Sequence, residues 1–111
     1  MTDSTLIRWL EEGRLLLGDG AMGTMLQASG LSGGTAPEIW NLAEPQKVAA
    51  VHAAYVEAGS NIITTNTFGG NLTRLRSHNE DISVYEINRA AAEIARSPAD
   101  GAGCLVAGSM G

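Results

Sequence analysis

The sequence of 111 residues contains a single cysteine, Cys104, and little basic charge. One cysteine excludes an internal disulfide, and it excludes a structural zinc site built from cysteines, because such sites need about four ligands. Lysine and arginine number 7 against 12 aspartates and glutamates, which gives a formal net charge of −5. A protein that binds nucleic-acid phosphates needs clustered positive charge. We therefore expect no nucleic-acid partner.

The sequence also lacks a targeting signal and a long hydrophobic run. No apolar run approaches the ~20 residues that a membrane-spanning helix needs. The first residues carry Asp3, Glu11 and Glu12 among their apolar side chains, so they lack the basic start and apolar middle of a signal peptide. We expect a cytoplasmic protein without a membrane partner.

What the sequence does contain is apolar runs that alternate with helical patterns. Residues 15–17, 61–65 and 104–107 are apolar or β-branched and stop at turn residues, which predicts strands. Pro45 opens an apolar stripe at helical spacing that Gly59 stops. A Ser-x-x-Glu capping box opens a second helix at Ser83, which Pro98 is expected to end. Residues 21–43 and 66–79 are expected to be loops with a helical turn each, near 24–27 and 72–75.

The predicted order is strand, helix, strand, helix, strand. Strands that alternate with helices imply right-handed crossovers and a parallel sheet, which defines the α/β class. No helix follows the third strand to cover it, and an open apolar edge strand would expose unpaired backbone groups. We therefore expect residues 1–111 to be the first part of a larger α/β domain.

Gly18 to Gly23 spell G-x-G-x-x-G after the first predicted strand, which raises a nucleotide-binding alternative. In a dinucleotide-binding unit, the next strand follows within about thirty residues and ends at an acidic ribose ligand. Here the second strand comes much later and ends without an acid, and Asp19 would place negative charge beside a pyrophosphate. A doubly wound nucleotide-binding module is thus one alternative, and a stand-alone interaction domain that unfolds cooperatively is another.

Several motifs resemble those of the homocysteine S-methyltransferase family. Residues 19–24 read DGAMGT, residues 37–42 read PEIWNL, residues 65–69 read TNTFG and residues 106–111 read VAGSMG. Their order is that of the family, and the match runs from about Leu15 to Gly111. The resemblance is strongest to the homocysteine-binding module of methionine synthases and their relatives.

The resemblance implies a TIM (β/α)₈ barrel, of which this chain would supply the first three strands and about two helices. It also implies transfer of a methyl group to the sulfur of homocysteine, which gives methionine. In the family, a zinc ion held by cysteines binds the homocysteine thiol, and metal coordination removes the thiol proton. The family's zinc cysteines lie in later Asn-Cys and Gly-Gly-Cys-Cys segments. We therefore expect the zinc ligands downstream and the isolated chain to be inactive.

Homocysteine and a methyl donor are the partners that the resemblance implies. The donors it allows are methylcobalamin loaded from methyltetrahydrofolate, betaine and S-methylmethionine. Cobalamin or folate would then join zinc as a cofactor of the whole enzyme.

The expected substrate-binding residues follow the first two strands, at the face where barrel active sites gather. By resemblance, Asp19 and Gly20 hold the amino-acid end of homocysteine: the carboxylate pairs with the ammonium, and the glycine lets the ligand approach the backbone. Thr65 and Asn66 would orient polar groups, and Phe68 would wall the pocket against water. The structural alternative is that Asp19 and Gly20 only form a turn, and that the polar residues after the second strand only bond to loop amides.

For some other residues, we considered a structural role and a functional one. Trp40 would shape the pocket or anchor the first loop, and His52 is expected to be a hydrogen-bonded packing residue. Cys104 is expected to be a small buried hydrophobe, and His78 to be solvated in its loop. Further candidates at the strand ends are Thr67, Gly108 and Ser109.

Overall fold

The computed structural model describes residues 4–77 and 83–111. The described strands are β1 (Ile62–Thr64) and β2 (Leu105–Ala107), and a 3₁₀ turn spans Pro37–Ile39. The described helices are α1 (Thr5–Glu11), α2 (Gly23–Ala28), α3 (Trp40–Ala43), α4 (Pro45–Glu57), α5 (Leu72–Ser77) and α6 (Val84–Ala102). His78 lies outside the described residues. No helix within the described ranges is long and apolar enough to cross a membrane.

The two strands form the parallel pair that the alternating pattern predicts. Ile62 lies opposite Leu105, and Thr64 lies opposite Ala107. Helix α6 connects the strands and packs against both, and α4 packs beside α6. Parallel neighbours need such a crossover, because a tight hairpin reverses the chain direction. The predicted α/β class is therefore confirmed.

The prediction of a buried first strand at residues 15–17 is wrong. A single parallel bridge joins Gly18 to Ile62, and the Asn61 N–H donates to the Leu17 carbonyl oxygen at 2.7 Å. Leu15 is 96% exposed. An apolar strand is buried only where other elements cover it, and the described chain provides no cover over Leu15.

Helix α4 follows its sequence signals closely. It begins at Pro45, whose missing N–H costs nothing in the first turn. Its inward face buries Val48, Val51 and His52. Beyond its last turn, the Ser60 N–H donates to the Tyr55 carbonyl oxygen at 3.0 Å, and Gly59 adopts a left-handed φ of 110°. This closure turns the chain directly into β1.

Helix α6 begins as predicted but continues further. The Ser83 hydroxyl oxygen accepts the Glu86 N–H at 3.2 Å, as in a capping box. The prediction that Pro98 ends the helix is wrong, since α6 runs on to Ala102. Proline removes one backbone hydrogen bond in a helix, but Ala95 and Ala99 pack against Ile63 on either side of it. This tertiary packing holds the helix together through the proline.

The buried core lies between the helices and beneath the strands. One cluster joins Leu26, Leu31, Val48 and Val51, and Tyr55 packs against both this cluster and the one around Ile63. The first long loop is more ordered than predicted, because it contains α2, the 3₁₀ turn and α3. These short helices bring the first loop over the carboxyl ends of the strands.

Candidate functional site

Polar residues that follow the strands line one cavity of about 160 Å³. The structure brings all the predicted substrate-binding residues together there. The lining consists of Asp19, Gly20, Met22, Thr64, Thr65, Asn66, Thr67, Phe68 and Ser109. We call this space the strand-end cavity.

The Asp19 carboxylate has one oxygen committed to the fold. Its Oδ2 accepts the Thr64 N–H at 2.9 Å, so the side chain replaces the backbone carbonyl that would continue a parallel ladder. No hydrogen bond from a described residue reaches its Oδ1. The carboxylate therefore closes the sheet edge with one oxygen and offers the other to the strand-end cavity.

Two threonine hydroxyls beside Asp19 form a one-way chain of hydrogen bonds. The Ser109 N–H donates to Thr65 Oγ1 at 3.2 Å, and the Thr67 hydroxyl donates to the Ser109 carbonyl oxygen at 2.7 Å. The two hydroxyl oxygens lie 2.7 Å apart, so Thr65 must donate to Thr67. Each hydroxyl therefore donates its single hydrogen within the protein, and it can only accept a further hydrogen bond.

Gly20 lies close to the side chain of Tyr55. A Cβ at this position would lie 3.1 Å from the Tyr55 hydroxyl oxygen. That hydroxyl donates to the Ala21 carbonyl oxygen at 2.7 Å, which fixes the turn after Asp19. Glycine thus lets α4 approach the turn that carries the carboxylate.

Asn66 uses its amide hydrogens within the protein. Its Nδ2 donates to the Pro37 carbonyl oxygen and to Asn41 Oδ1, each at 3.0 Å. These bonds tie the strand end to the first loop. Among the side-chain atoms of Asn66, only Oδ1 is left for a ligand. The side chain of Asn66 could therefore orient a substrate only as a hydrogen-bond acceptor.

A second cavity of about 290 Å³ adjoins the first. The two share Met22, Asn66 and Phe68, and Phe68 is 62% exposed. The remaining lining consists of Gly23, Ala36, Pro37, Glu38, Gly69 and Arg74. We call this space the first-loop cavity.

Sequence reasoning missed Glu38 and Asn41. Both are buried, and Glu38 Oε2 accepts the Gly69 N–H at 2.8 Å. The available signal was their spacing, because residues three apart lie on one face of a helical segment. A carboxylate and an amide on that face therefore point to a polar contact with another element.

Trp40 anchors the first loop. It packs against the cluster that contains Leu26 and Val48, and Lys47 Nζ lies 4.8 Å from its ring centroid. Cys104 is half-buried, so its expected burial is only partial, and its thiol donates to the Ser60 carbonyl oxygen at 3.2 Å. Neither residue lines the two cavities.

His52 is buried as expected, but the prediction that it is hydrogen-bonded is wrong. It is 0% exposed, and neither ring nitrogen has a partner among the described residues. Burial lowers the pKa of His52, and the negative charge of Asp19 opposes that shift in part. The imidazole therefore favours its neutral form beneath the site.

The donor set of the described residues does not fit zinc. Within residues 4–77 and 83–111, no group of three or more histidines, cysteines, aspartates or glutamates could hold a metal ion. The sole cysteine belongs to the start of the β2 segment and bonds to a backbone carbonyl. Tetrahedral zinc in proteins takes at least three protein ligands.

Comparison with known proteins decides the family. The family model described as homocysteine S-methyltransferase matches residues 16–111. The chain belongs to the homocysteine S-methyltransferase family. The resemblance carried by the sequence motifs is therefore confirmed, and the doubly wound nucleotide-binding alternative is unsupported.

Similar proteins include known members of the family. The chain is 37% identical to methionine synthase from Mycobacterium tuberculosis, over 98% of this chain and 10% of that protein. It is 32% identical to betaine–homocysteine S-methyltransferase 1 from Bos taurus, over 95% of this chain and 27% of that protein. The chain thus spans about a tenth and about a quarter of these relatives.

A solved structure shares the fold. The metallated form of the homocysteine methyltransferase MmuM from Escherichia coli superposes with a TM-score of 0.78 at 25% identity, over 95% of this chain and 41% of that chain. The oxidized form of the same enzyme gives 0.76 at 26% identity. The arrangement of α4, β1, α6 and β2 is therefore that of part of a homocysteine methyltransferase.

Proposed function

We propose that residues 1–111 form the amino-terminal part of a homocysteine-binding (β/α)₈ barrel. Family membership supports this proposal, as does the parallel β1–α6–β2 unit with its polar residues at the strand ends. In such barrels, substrates bind at the carboxyl ends of the strands. The parent enzyme would transfer a methyl group to homocysteine, and this chain would hold the amino-acid end of that substrate.

Three neighbouring side-chain acceptors in the strand-end cavity are the observation that carries the proposal. Asp19 Oδ1 and the hydroxyl oxygens of Thr65 and Thr67 have acceptor capacity to spare, while both hydroxyl hydrogens are already donated. An α-ammonium group brings three donors and a positive charge, and it suits these acceptors. A carboxylate at the same place would find no hydroxyl hydrogen on Thr65 or Thr67.

The reaction forms a bond between the homocysteine sulfur and the methyl carbon, and it breaks the bond between that carbon and the donor. The thiol proton leaves before the sulfur attacks, because the thiolate is the nucleophile. Since the described residues do not fit zinc, we assign them binding and positioning only. The cysteine ligands of the family's zinc would lie in segments beyond this sequence.

Asp19→Asn in the full-length enzyme tests the proposal. Asparagine keeps an oxygen for the Thr64 N–H but loses the charge that pairs with the ammonium. Because hydrogen bonds to charged groups contribute about 1.5–3 kcal/mol, the Kd of homocysteine should rise about 10- to 100-fold in isothermal titration calorimetry. Asp100→Asn is the matched control, since Asp100 pairs with Arg96 on the surface of α6.

A substrate analogue separates charge pairing from other causes. 4-Mercaptobutanoate lacks the ammonium, so it should bind the wild type more weakly than homocysteine does. The difference in Kd between the two ligands should be smaller in D19N, because only the Thr65 and Thr67 hydroxyls still receive the ammonium. Unchanged homocysteine affinity in D19N would refute the assignment of Asp19. Tight binding of NAD or ATP without homocysteine affinity would instead favour the nucleotide-binding module.

A further inference from the structure

The wall between the two cavities joins segments that are far apart in the sequence. One is the turn of residues 66–69 after β1, which carries Phe68. The other is residues 37–41 of the first loop, formed by the 3₁₀ turn and the start of α3. We call the hydrogen bonds between these segments the polar clamp.

Asn41 forms one end of the polar clamp. It is 2% exposed, and its Nδ2 donates to the Asn66 carbonyl oxygen at 2.9 Å and to the Ile87 carbonyl oxygen at 3.3 Å. Its Oδ1 accepts from Asn66 Nδ2 at 3.0 Å. One amide thus joins the first loop, the end of β1 and helix α6.

Glu38 forms the other end. The residue is 6% exposed, and its Oε2 accepts the Gly69 N–H at 2.8 Å. A Cβ on Gly69 would lie 3.0 Å from Glu38 Oε1, so the carboxylate packs directly against the backbone of the turn. A charge-assisted hydrogen bond of this kind is among the stronger ones in proteins.

Phe68 lies between these two anchors. Its ring lines both cavities and is largely exposed, so packing of the ring itself contributes little to its position. The backbone on either side is held at Asn66 and at Gly69. The polar clamp therefore determines where the ring stands.

We propose that Glu38 and Asn41 are positioning residues for methyl transfer, which act by fixing the turn that carries Phe68 between the two cavities. This inference rests on the proposed function, because it takes the strand-end cavity as the homocysteine site. Asp19 and Gly20 belong to a different segment, and the Thr65 and Thr67 hydroxyls are held by Ser109 and not by the clamp. Loss of the clamp should thus misplace the wall while the amino-acid end of homocysteine stays bound.

Hydrogen exchange at the Gly69 amide tests the geometry independently of activity. In Glu38→Ala the Gly69 N–H loses its acceptor, so its exchange, followed by NMR or mass spectrometry in the full-length protein, should become at least about tenfold faster. Glu38→Gln keeps an oxygen acceptor in a side chain of similar shape, and its exchange should stay near the wild-type rate. Circular dichroism verifies that both variants are folded.

Steady-state kinetics and calorimetry test the consequence for the reaction. E38A should lower kcat about 100-fold, the scale expected for a displacement of about 1 Å at a reacting centre. Its homocysteine Kd should stay within about threefold of the wild type, and E38Q should recover most of kcat. Asn41→Asp, which loses both donated hydrogens, should lower kcat in the same way.

A double variant identifies the residue through which Glu38 acts. If the carboxylate works by placing Phe68, then E38A/F68A should have the same kcat as F68A alone, because coupled residues give non-additive losses. Multiplicative losses would overturn this part of the inference. An unchanged kcat in E38A, or unchanged Gly69 exchange, would overturn the role of Glu38, and an unchanged kcat in N41D would overturn that of Asn41.

Failure of the proposed function would look different. If the full-length protein does not methylate homocysteine, or if D19N leaves homocysteine binding unchanged, the proposed function fails whatever the clamp does. Faster Gly69 exchange in E38A would then still establish the clamp as a structural feature.

Discussion

At the residue scale, polar groups at the strand ends serve the fold and the cavity at once. Asp19 closes the sheet edge with one carboxylate oxygen, and the Thr65–Thr67–Ser109 chain joins the ends of β1 and β2. These bonds fix the direction of the hydroxyl hydrogens. The binding character of the cavity is therefore set by the fold before a ligand enters.

The burial of His52 predicts an effect of pH on the stability of the protein. Burial lowers the pKa of His52, so the unfolded chain binds a proton more readily than the folded one. Acidification should therefore destabilise the wild-type protein as the pH falls through the unfolded value of about 6.5, until the lower folded pKa is passed.

His52→Leu removes the titrating group. It breaks no hydrogen bond to a described residue, because neither ring nitrogen has a partner among them. We expect its free energy of unfolding at pH 7.5 to lie within about 1 kcal/mol of the wild type. Its decline from pH 7.5 to 5.5 should be shallower, as measured by urea unfolding of the full-length protein. Equal declines would show that His52 does not titrate as inferred.

At the element scale, helix ends were the features that the sequence located best when glycine and capping residues marked them. The start of α4 at Pro45 and the cap of α6 at Ser83 both follow from local chemistry. The continuation of α6 through Pro98 does not, since it depends on packing against Ile63. The prediction of a buried strand at residues 15–17 is wrong for the same reason, because the elements that bury a strand come from distant parts of the chain.

Two glycines at the end of α6 provide a matched pair for a stability test. Gly103 ends the helix with a left-handed φ of 72°, whereas Gly101 lies in the last helical turn, where an added Cβ would meet nothing within 4 Å. Gly103→Ala should destabilise the full-length protein by about 1 kcal/mol. Gly101→Ala should stabilise it by up to about 1 kcal/mol.

Urea midpoints of both variants measure the difference. Opposite signs are expected, because alanine favours the helix at position 101 and resists the backbone conformation at position 103. If Gly103→Ala were as stable as Gly101→Ala, the left-handed cap would not constrain the end of α6.

At the scale of the whole molecule, the 111-residue chain leaves apolar surface uncovered. Leu15 is 96% exposed and Leu17 is 55% exposed, and within the described chain β2 pairs only with β1. Open strands and exposed leucines favour association between chains. We expect the isolated chain to bind the dye ANS and to self-associate in analytical ultracentrifugation.

Leu15→Glu identifies the source of that association. In residues 1–111 alone, this substitution should reduce ANS binding. In the proposed complete barrel it should be destabilising, because further strands would cover this position. A monomeric isolated chain with cooperative unfolding would favour the stand-alone interaction domain.

The sequence predicted the α/β class and the residues of the strand-end cavity, because both depend on local patterns and on the parallel order of the strands. The family motifs then identified the family. The sequence did not predict the contacts of Glu38 and Asn41, since their partners Gly69, Asn66 and Ile87 lie far along the chain. It also suggested a bonded His52, because a helical stripe reports burial but not what surrounds each ring nitrogen.

The bond between Asp19 Oδ2 and the Thr64 N–H limits which residues position 19 can hold. A replacement at position 19 must supply an acceptor at the same short reach, so asparagine preserves the sheet edge while alanine or lysine breaks it. Phe68 tolerates substitution more readily than Asp19, because it is 62% exposed. A substitution that removes the acceptor at position 19 requires another acceptor for the Thr64 N–H to be introduced elsewhere.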